Sequence, residues 1–235
     1  MNSSVQLIGW QGLILAFVPA VVAIVIMFRW AAGAKTAIYA TARMLLQLLL
    51  IGYVLVYIFD ADQPGIIVGV LLVMLVAASW IAIRPVQQKQ PHVYRSAFIA
   101  IACSGVLTLA LVSQWVIGVD PWFSPRYLIP LAGMIFAGAM NTVSLAAERL
   151  QAETERGVPF NESRRIALQA SMIPMINSLF AVGVVALPGM MTGQILSGVS
   201  PIVAAKYQIV VMTMLFGVSG MSAAIYITLA AREQP

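Results

Sequence analysis

The chain reads as long apolar runs separated by short polar breaks. A helix needs about 20 apolar residues to cross the hydrocarbon core of a bilayer. Runs at 7–28, 38–59, 65–83, 97–116, 127–147, 166–187 and 207–230 meet that need. They predict an all-α, polytopic integral membrane bundle of about seven transmembrane helices. The sixth run carries Pro174 inside it. Two of the breaks stand out. "AAERLQAETERGVPFNESRRIA" is the one long charged stretch. "LPGMMTGQILSG" crowds Pro188, Gly189, Gly193 and Gly198 together, with Thr192, Gln194 and Ser197 beside Met190 and Met191.

Composition agrees with a membrane solvent. Of 235 residues, 61% are hydrophobic and 9% charged, and the mean hydropathy is +0.95. A soluble domain carries about 25% charged residues, so these charges are too few to coat a water-facing surface. Cys103 is the one cysteine, which excludes an internal disulfide. A pI near 9.7 raises the question of nucleic acid, and the placement of the charges answers it. With the N-terminus outside, ten of the 13 lysines and arginines fall on the cytoplasmic side. Arg126 and Lys206 fall outside, and Arg43 lies within the second run. That asymmetry predicts N-terminus out and C-terminus in, with the basic balance reflecting topology and not nucleic acid. Asp60, Asp62 and Asp120 belong to outer loops. No basic residue precedes the first run and Arg29 follows it at once, so it reads as an uncleaved anchor and not a signal peptide. "DPWFSPRY", with two prolines and three aromatic rings, reads as an interfacial turn.

The charged stretch predicts a helical hairpin over 148–165. Arg149 and Glu153 are spaced as an i,i+4 pair, Gly157 suits a helix C-cap, and Pro159 prevents continuation. Asn161 is then expected to cap the next helix, with Glu162 in its first turn. This hairpin is either a solvated turn or a docking surface for a cytoplasmic partner. In the second reading Glu153, Glu155, Arg156, Asn161, Arg164 and Arg165 carry the contact.

Polar groups within the runs are the remaining candidates. Arg43 and Gln47 lie four residues apart and so share a helix face. A charge at the bilayer centre costs about 2.5–3.5 kcal/mol and usually faces a bundle interior or aqueous cavity. Arg43 can alternatively snorkel to the interface, whereas Gln47 cannot. Asn141 and Asn177 are expected as buried amides, either bonding helix to helix or lining a route. Gly133, Ala137, Gly138 and Ala139 make a small-residue face beside Asn141, and Pro174 invites a kink before Asn177.

Catalytic sets are missing. "GAKT" at 33–36 lacks the spacing of a phosphate-binding loop. His92 is alone, no metal-ligand cluster is spaced correctly, and no Ser–His–Asp set can form. The 13 methionines suit gap-filling in an apolar bundle, and only Met190 and Met191 sit beside polar groups. Non-helical backbone at membrane depth survives only where protein buries it or water reaches it. The 188–206 segment therefore reads as a re-entrant or interfacial piece on the outer side.

"PMINSLFAVGVVALPGMMTGQILSGVSPIVAAKYQIVVM", together with "RMLLQLLLIGYVL" and "PRYLIPLAGMIFAGAMNTVSLA", resembles the FetB-type ABC transporter permeases over nearly the whole chain. That family includes bacterial iron-export permeases and plant aluminium-resistance membrane subunits. The resemblance implies one permease domain over 1–235 in the inner (plasma) membrane and a separate cytoplasmic ATPase that holds ATP and Mg. It also implies a second permease copy and export of a metal ion or metal-linked solute, with no cofactor or metal resident in this chain. Arg43, Gln47, Asn141, Asn177, Met190, Met191, Thr192 and Gln194 would then line the route. Pro188, Gly189, Gly193 and Gly198 would form a gate or, equally, a rigid cap. The chain departs from the family pattern twice. "ERGVPFNESRR" replaces a cytoplasmic segment about 20 residues longer, and Ala137-Gly138 stands where the family has Gly-Asn. The shortened loop motivates a different reading, a membrane scaffold or sensor without a transport cycle. An intramembrane enzyme lacks any acid–base or nucleophile set.

Overall fold

The computed structural model describes residues 8–59, 63–86 and 90–231. Lys89 and Arg232, counted on the cytoplasmic side, and Asp60 and Asp62, placed in an outer loop, lie outside the described residues. The described chain is helical almost throughout, and its only β pairing is an isolated bridge between Val182 and Ala186. Six helical runs are long and apolar enough to cross a membrane: Trp10–Arg29, Ala34–Phe59, Pro64–Ala82, Pro91–Ile117, Pro125–Glu155 and Pro201–Ala231. The polytopic helical membrane architecture is therefore as expected.

The chain divides into two compact units, 1–60 and 61–235. In the first, α1 (Trp10–Ala16) and α2 (Val18–Arg29) form one apolar run interrupted at Phe17. Pro19, two residues on, has no N–H to continue the ladder, which accounts for the break. After a turn at 30–33, α3 (Ala34–Phe59) returns and packs against α2. Neither membrane-length run of this unit buries any of its apolar window. Trp10 and Tyr57 are each 80% exposed, a surface suited to lipid and not to water.

The second unit contains α4 (Pro64–Ala82), α5 (Pro91–Ala110), a π-helical segment (Leu111–Ile117), α6 (Pro125–Glu155), α7 (Phe160–Ala181), α8 (Gly189–Leu196) and α9 (Pro201–Ala231). Helix α6 is its axis and packs against α4, α5, α7 and α9. Ile67, Ile101, Ile135, Val143 and Val218 are wholly enclosed. Close approach comes from small residues. A Cβ on Gly105 of α5 would stand 2.8 Å from Phe136 of α6, and one on Gly138 would stand 3.1 Å from Leu215 of α9. Buried hydroxyls turn back on their own helices, as Ser79 donates to Leu75 O (2.8 Å), Ser104 to Ala100 O (2.6 Å) and Thr108 to Ser104 O (2.7 Å). These three donors are thereby satisfied within their own helices.

Several expected boundaries move. The sixth run, placed at 166–187, is α7, which starts at Phe160 and stops at Ala181. It is not among the six runs apolar enough to span. Its first turns carry Asn161, Glu162, Arg164 and Arg165, and Gln169, Ser171, Asn177 and Ser178 interrupt the remainder. Pro174 lies within the helix, which continues past it, and Ser178 Oγ donates to Pro174 O at 2.9 Å. Helix α9 begins six residues before the expected 207. Its start at Pro201 follows the preference of proline for a first helical position.

Candidate functional site

A cavity of about 310 Å³ opens where the N-terminal halves of α6 and α9 meet α8 and the end of the π-helical segment. Helix α6 contributes Arg126, Tyr127, Pro130, Leu131 and Met134. The spacing of Arg126, Pro130 and Met134 repeats every four residues, so they share one face. Met190 and Gln194, also four apart, come from α8, and Val203, Tyr207, Val210 and Val211 come from α9. Ile117 closes the wall from the π-helical end, and Val199 from the link between α8 and α9. The lining is apolar except for Arg126, Gln194 and the two tyrosine hydroxyls. Gln194 Oε1 is shielded from solvent and accepts no hydrogen bond.

The backbone around α8 explains how this side chain is held. Helix α7 ends at Ala181, and the chain turns through Gly183 at φ +81°, with Gly183 N–H bonded to Ala186 O at 2.9 Å. Pro188, seven residues past the end of α7, is the residue that leads into α8, with φ −61° and ψ 148°. The segment is a short helix, Gly189–Leu196. Its exit is a Schellman turn: Val199 N–H bonds Gln194 O and Gly198 N–H bonds Ile195 O, both at 3.0 Å. Gly198 sits at φ +92°, where a side chain would be strained. Gly189 and Gly193 are helical and face open space, so sterics do not require glycine at either.

The other sequence candidates lie elsewhere. Asn141 is 15 residues beyond Arg126 on α6, about 22 Å along the helix, and it is exposed on the unit. Asn177 on α7 is exposed too. Both amides were expected to be buried, and the structure corrects this: the inward face of α6 is carried by Ala139, Thr142, Val143 and Ala146 instead. The small-residue face is split. Ala139 and Gly138 meet neighbouring helices, while Ala137 points outward. Met191 and Thr192 belong to α8 but not to the cavity lining. Arg43 is half-buried and Gln47 exposed on α3, in the first unit.

At the other end of α6 the hairpin forms as expected, with changes of detail. Gly157 takes φ +77°, and Val158 N–H reaches Glu153 O at 3.1 Å, closing α6. The capping residue of α7 is Pro159 in an extended conformation, not Asn161, which already lies in the first turn. Ser163 is fully buried and donates to Val158 O at 3.0 Å, tying the two arms together. Glu153 accepts from Arg149 at 2.6 Å and from Arg156 at 3.4 Å. With its side chain 6% exposed, Glu153 is an internal strut and has no face for a partner. Glu155, Arg156, Asn161, Arg164 and Arg165 are exposed.

Two residues escaped the sequence reading. Arg126 was counted only as a topological charge; its four-residue spacing with Pro130 and Met134 was the available signal. Gln208 is 5% exposed within α9, and its Oε1 finds no donor. Among the described residues no group of three His, Cys, Asp or Glu side chains could hold a metal ion.

The model described as "Uncharacterised protein family (UPF0014)" matches residues 10–158 and 156–234. Its two pieces meet at the hairpin turn, where the sequence departs from the resembled pattern. The chain is 33% identical over 227 residues to the UPF0014 membrane protein slr1647 of Synechocystis sp., spanning 90% of this chain and 81% of that relative. It is 32% identical over 242 residues to the "Probable iron export permease protein FetB" of Escherichia coli, spanning 95% and 91%. It is 34% identical over 205 residues to "Protein ALUMINUM SENSITIVE 3" of Arabidopsis thaliana, spanning 79% and 72%. No solved structure matches it.

Proposed function

The chain belongs to the UPF0014 family and is a multi-pass membrane permease, and from that premise we propose that it is the membrane subunit of an ABC transporter. Its cargo is a metal ion, iron-like, or a metal-linked solute, and it leaves the cell across the inner (plasma) membrane. ATP and Mg bind a separate cytoplasmic ATPase, and two copies of this chain complete the pathway. The whole chain serves as one permease domain, with the N-terminus out and the C-terminus in. The observation that carries this reading is the end-to-end similarity to a relative named as an iron export permease. The bundle is compatible with it: a cavity at one end of α6 and an exposed polar hairpin at the other.

In this arrangement the ATPase docks on the exposed part of the hairpin, through Glu155, Arg156, Asn161, Arg164 and Arg165. The α8 segment, from Pro188 to Gly198, gates the cavity, with Gln194 and Met190 facing the route. Co-purification with a cytoplasmic ABC ATPase of the same cell tests the whole reading. A stable complex, and metal retention in cells lacking the chain, are the expected results. A chain that purifies alone, with metal content unchanged by its deletion, would instead be a scaffold or sensor, a role the short hairpin also suits. Cysteines at Glu155 and Asn161 should cross-link to the ATPase. Normal assembly without either cross-link would reduce the hairpin to a solvated turn.

A further inference from the structure

We propose that the cavity between α6, α8 and α9 binds a single-chain amphiphile with an anionic head and an adjacent hydroxyl or N–H donor. This goes beyond the permease reading: the ligand is a bound amphiphile held beside α8 and is distinct from the transported cargo. Its test is binding and not transport, so the two can fail separately.

The charge of the head follows from Arg126, the one charged side chain in the lining. No carboxylate pairs with it among the described residues, where the only ion pairs are those of Glu153. A bare cation entering here would meet an unneutralised guanidinium and no carboxylate, imidazole or thiolate. An anion would meet Arg126 and the hydroxyl donors of Tyr127 and Tyr207. The need for a donor beside the charge follows from Gln194. A shielded carbonyl oxygen without a partner costs about 1–3 kcal/mol, and a ligand hydroxyl or N–H removes that cost. The tail follows from the walls, since Pro130, Met134, Met190, Val203 and Val211 offer only apolar surface. A cavity of about 310 Å³ is at the lower end of the range for small ligands, which suits one chain and not two.

The same chemistry is found in a bilayer lysophospholipid and in a small free phosphate, and the experiment separates them. Native mass spectrometry would be run on the intact protein in a neutral detergent. The probes are 1-acyl-glycerol 3-phosphate, the matching alkyl phosphate without the hydroxyl, glycerol 3-phosphate without the chain, an alkyl trimethylammonium, and Ag⁺. One acyl-glycerol phosphate should bind, with alkyl phosphate weaker and the last three not retained. Arg126→Gln should weaken binding about tenfold, the size expected for one charge-assisted hydrogen bond. Arg126 is exposed, so that variant leaves the packing intact, and Arg29→Gln on α2 should have no effect. Gln194→Leu should weaken the hydroxyl-bearing probe while leaving alkyl phosphate unchanged. Equal retention of the trimethylammonium amphiphile would overturn the anionic head. Glycerol 3-phosphate binding as tightly as the acylated probe would overturn the tail. Ag⁺ binding in place of the amphiphile would make this a thioether site of Met134 and Met190, and the proposal would fall.

Discussion

Glu153 owes its meaning to what surrounds it. In sequence it is one of several acidic residues in a charged stretch, and the i,i+4 spacing from Arg149 is legible. Its burial is not, because that depends on α7 folding back over it through Ser163. Removing the carboxylate ends two ion pairs whose guanidiniums water can still reach, so Glu153→Ala should lower stability by about 1 kcal/mol. Glu155→Ala, at an exposed site, should change it by less than about 0.5 kcal/mol. Thermal unfolding in detergent, both variants side by side, reads the contrast. Gly105 teaches the same lesson in the apolar core. It looks like any membrane glycine until Phe136 is placed 2.8 Å from its absent Cβ. Gly105→Ala should cost about 1–3 kcal/mol by overpacking, and Phe136→Leu should recover part of that loss. Asn141 and Asn177 were misread for a related reason. Periodicity fixes which residues share a face, but not which way the face turns in a bundle of several helices.

Elements were more legible than their faces. Each apolar run became helical, the first as two helices broken at Phe17, and the polar break at 188–198 contains a short one, because glycine and proline mark ends reliably. What the pattern could not supply was the cause of each end. Proline opens α4, α5, α6 and α9 at the first or second position, so four helices start before their apolar windows. The two glycines of α8 and Gly198 in its exit turn are not equivalent. Gly198→Ala should lose about 1–2 kcal/mol from its left-handed backbone, seen as a lower unfolding temperature. Gly193→Ala should leave that temperature unchanged or raise it, since the site is helical and open. Transport lost at normal abundance in Gly193→Ala would then identify a moving part, and transport retained would leave α8 a fixed wall.

At the scale of the whole chain, α7 decides the topology. Six spans would return the C-terminus to the side of the N-terminus, and a crossing by α7 would send it to the other. The basic asymmetry favours the crossing. A periplasm-only reporter fused after Ala231 should therefore stay inactive, while one placed after Gln63 should be active. Activity at Ala231 would remove α7 from the spanning set.

Helix α6 carries a mechanical consequence. From Arg126 at the cavity to Glu153 at the hairpin it runs 27 residues without a break in helical assignment, about 40 Å at 1.5 Å per residue. Pro130 removes one ladder hydrogen bond near the cavity end, and beyond it the helix is a stiff rod, so thrust delivered at the hairpin arrives below the cavity with about the same travel. Whatever pushes on the hairpin need not be relayed through side chains to be felt at the cavity. Replacing Ser144 and Leu145, neither of them buried, with glycine would give the rod a soft joint without turning its faces. With the proposed ATPase docked at the hairpin, the expected signature is nucleotide hydrolysis that continues while the permease no longer responds.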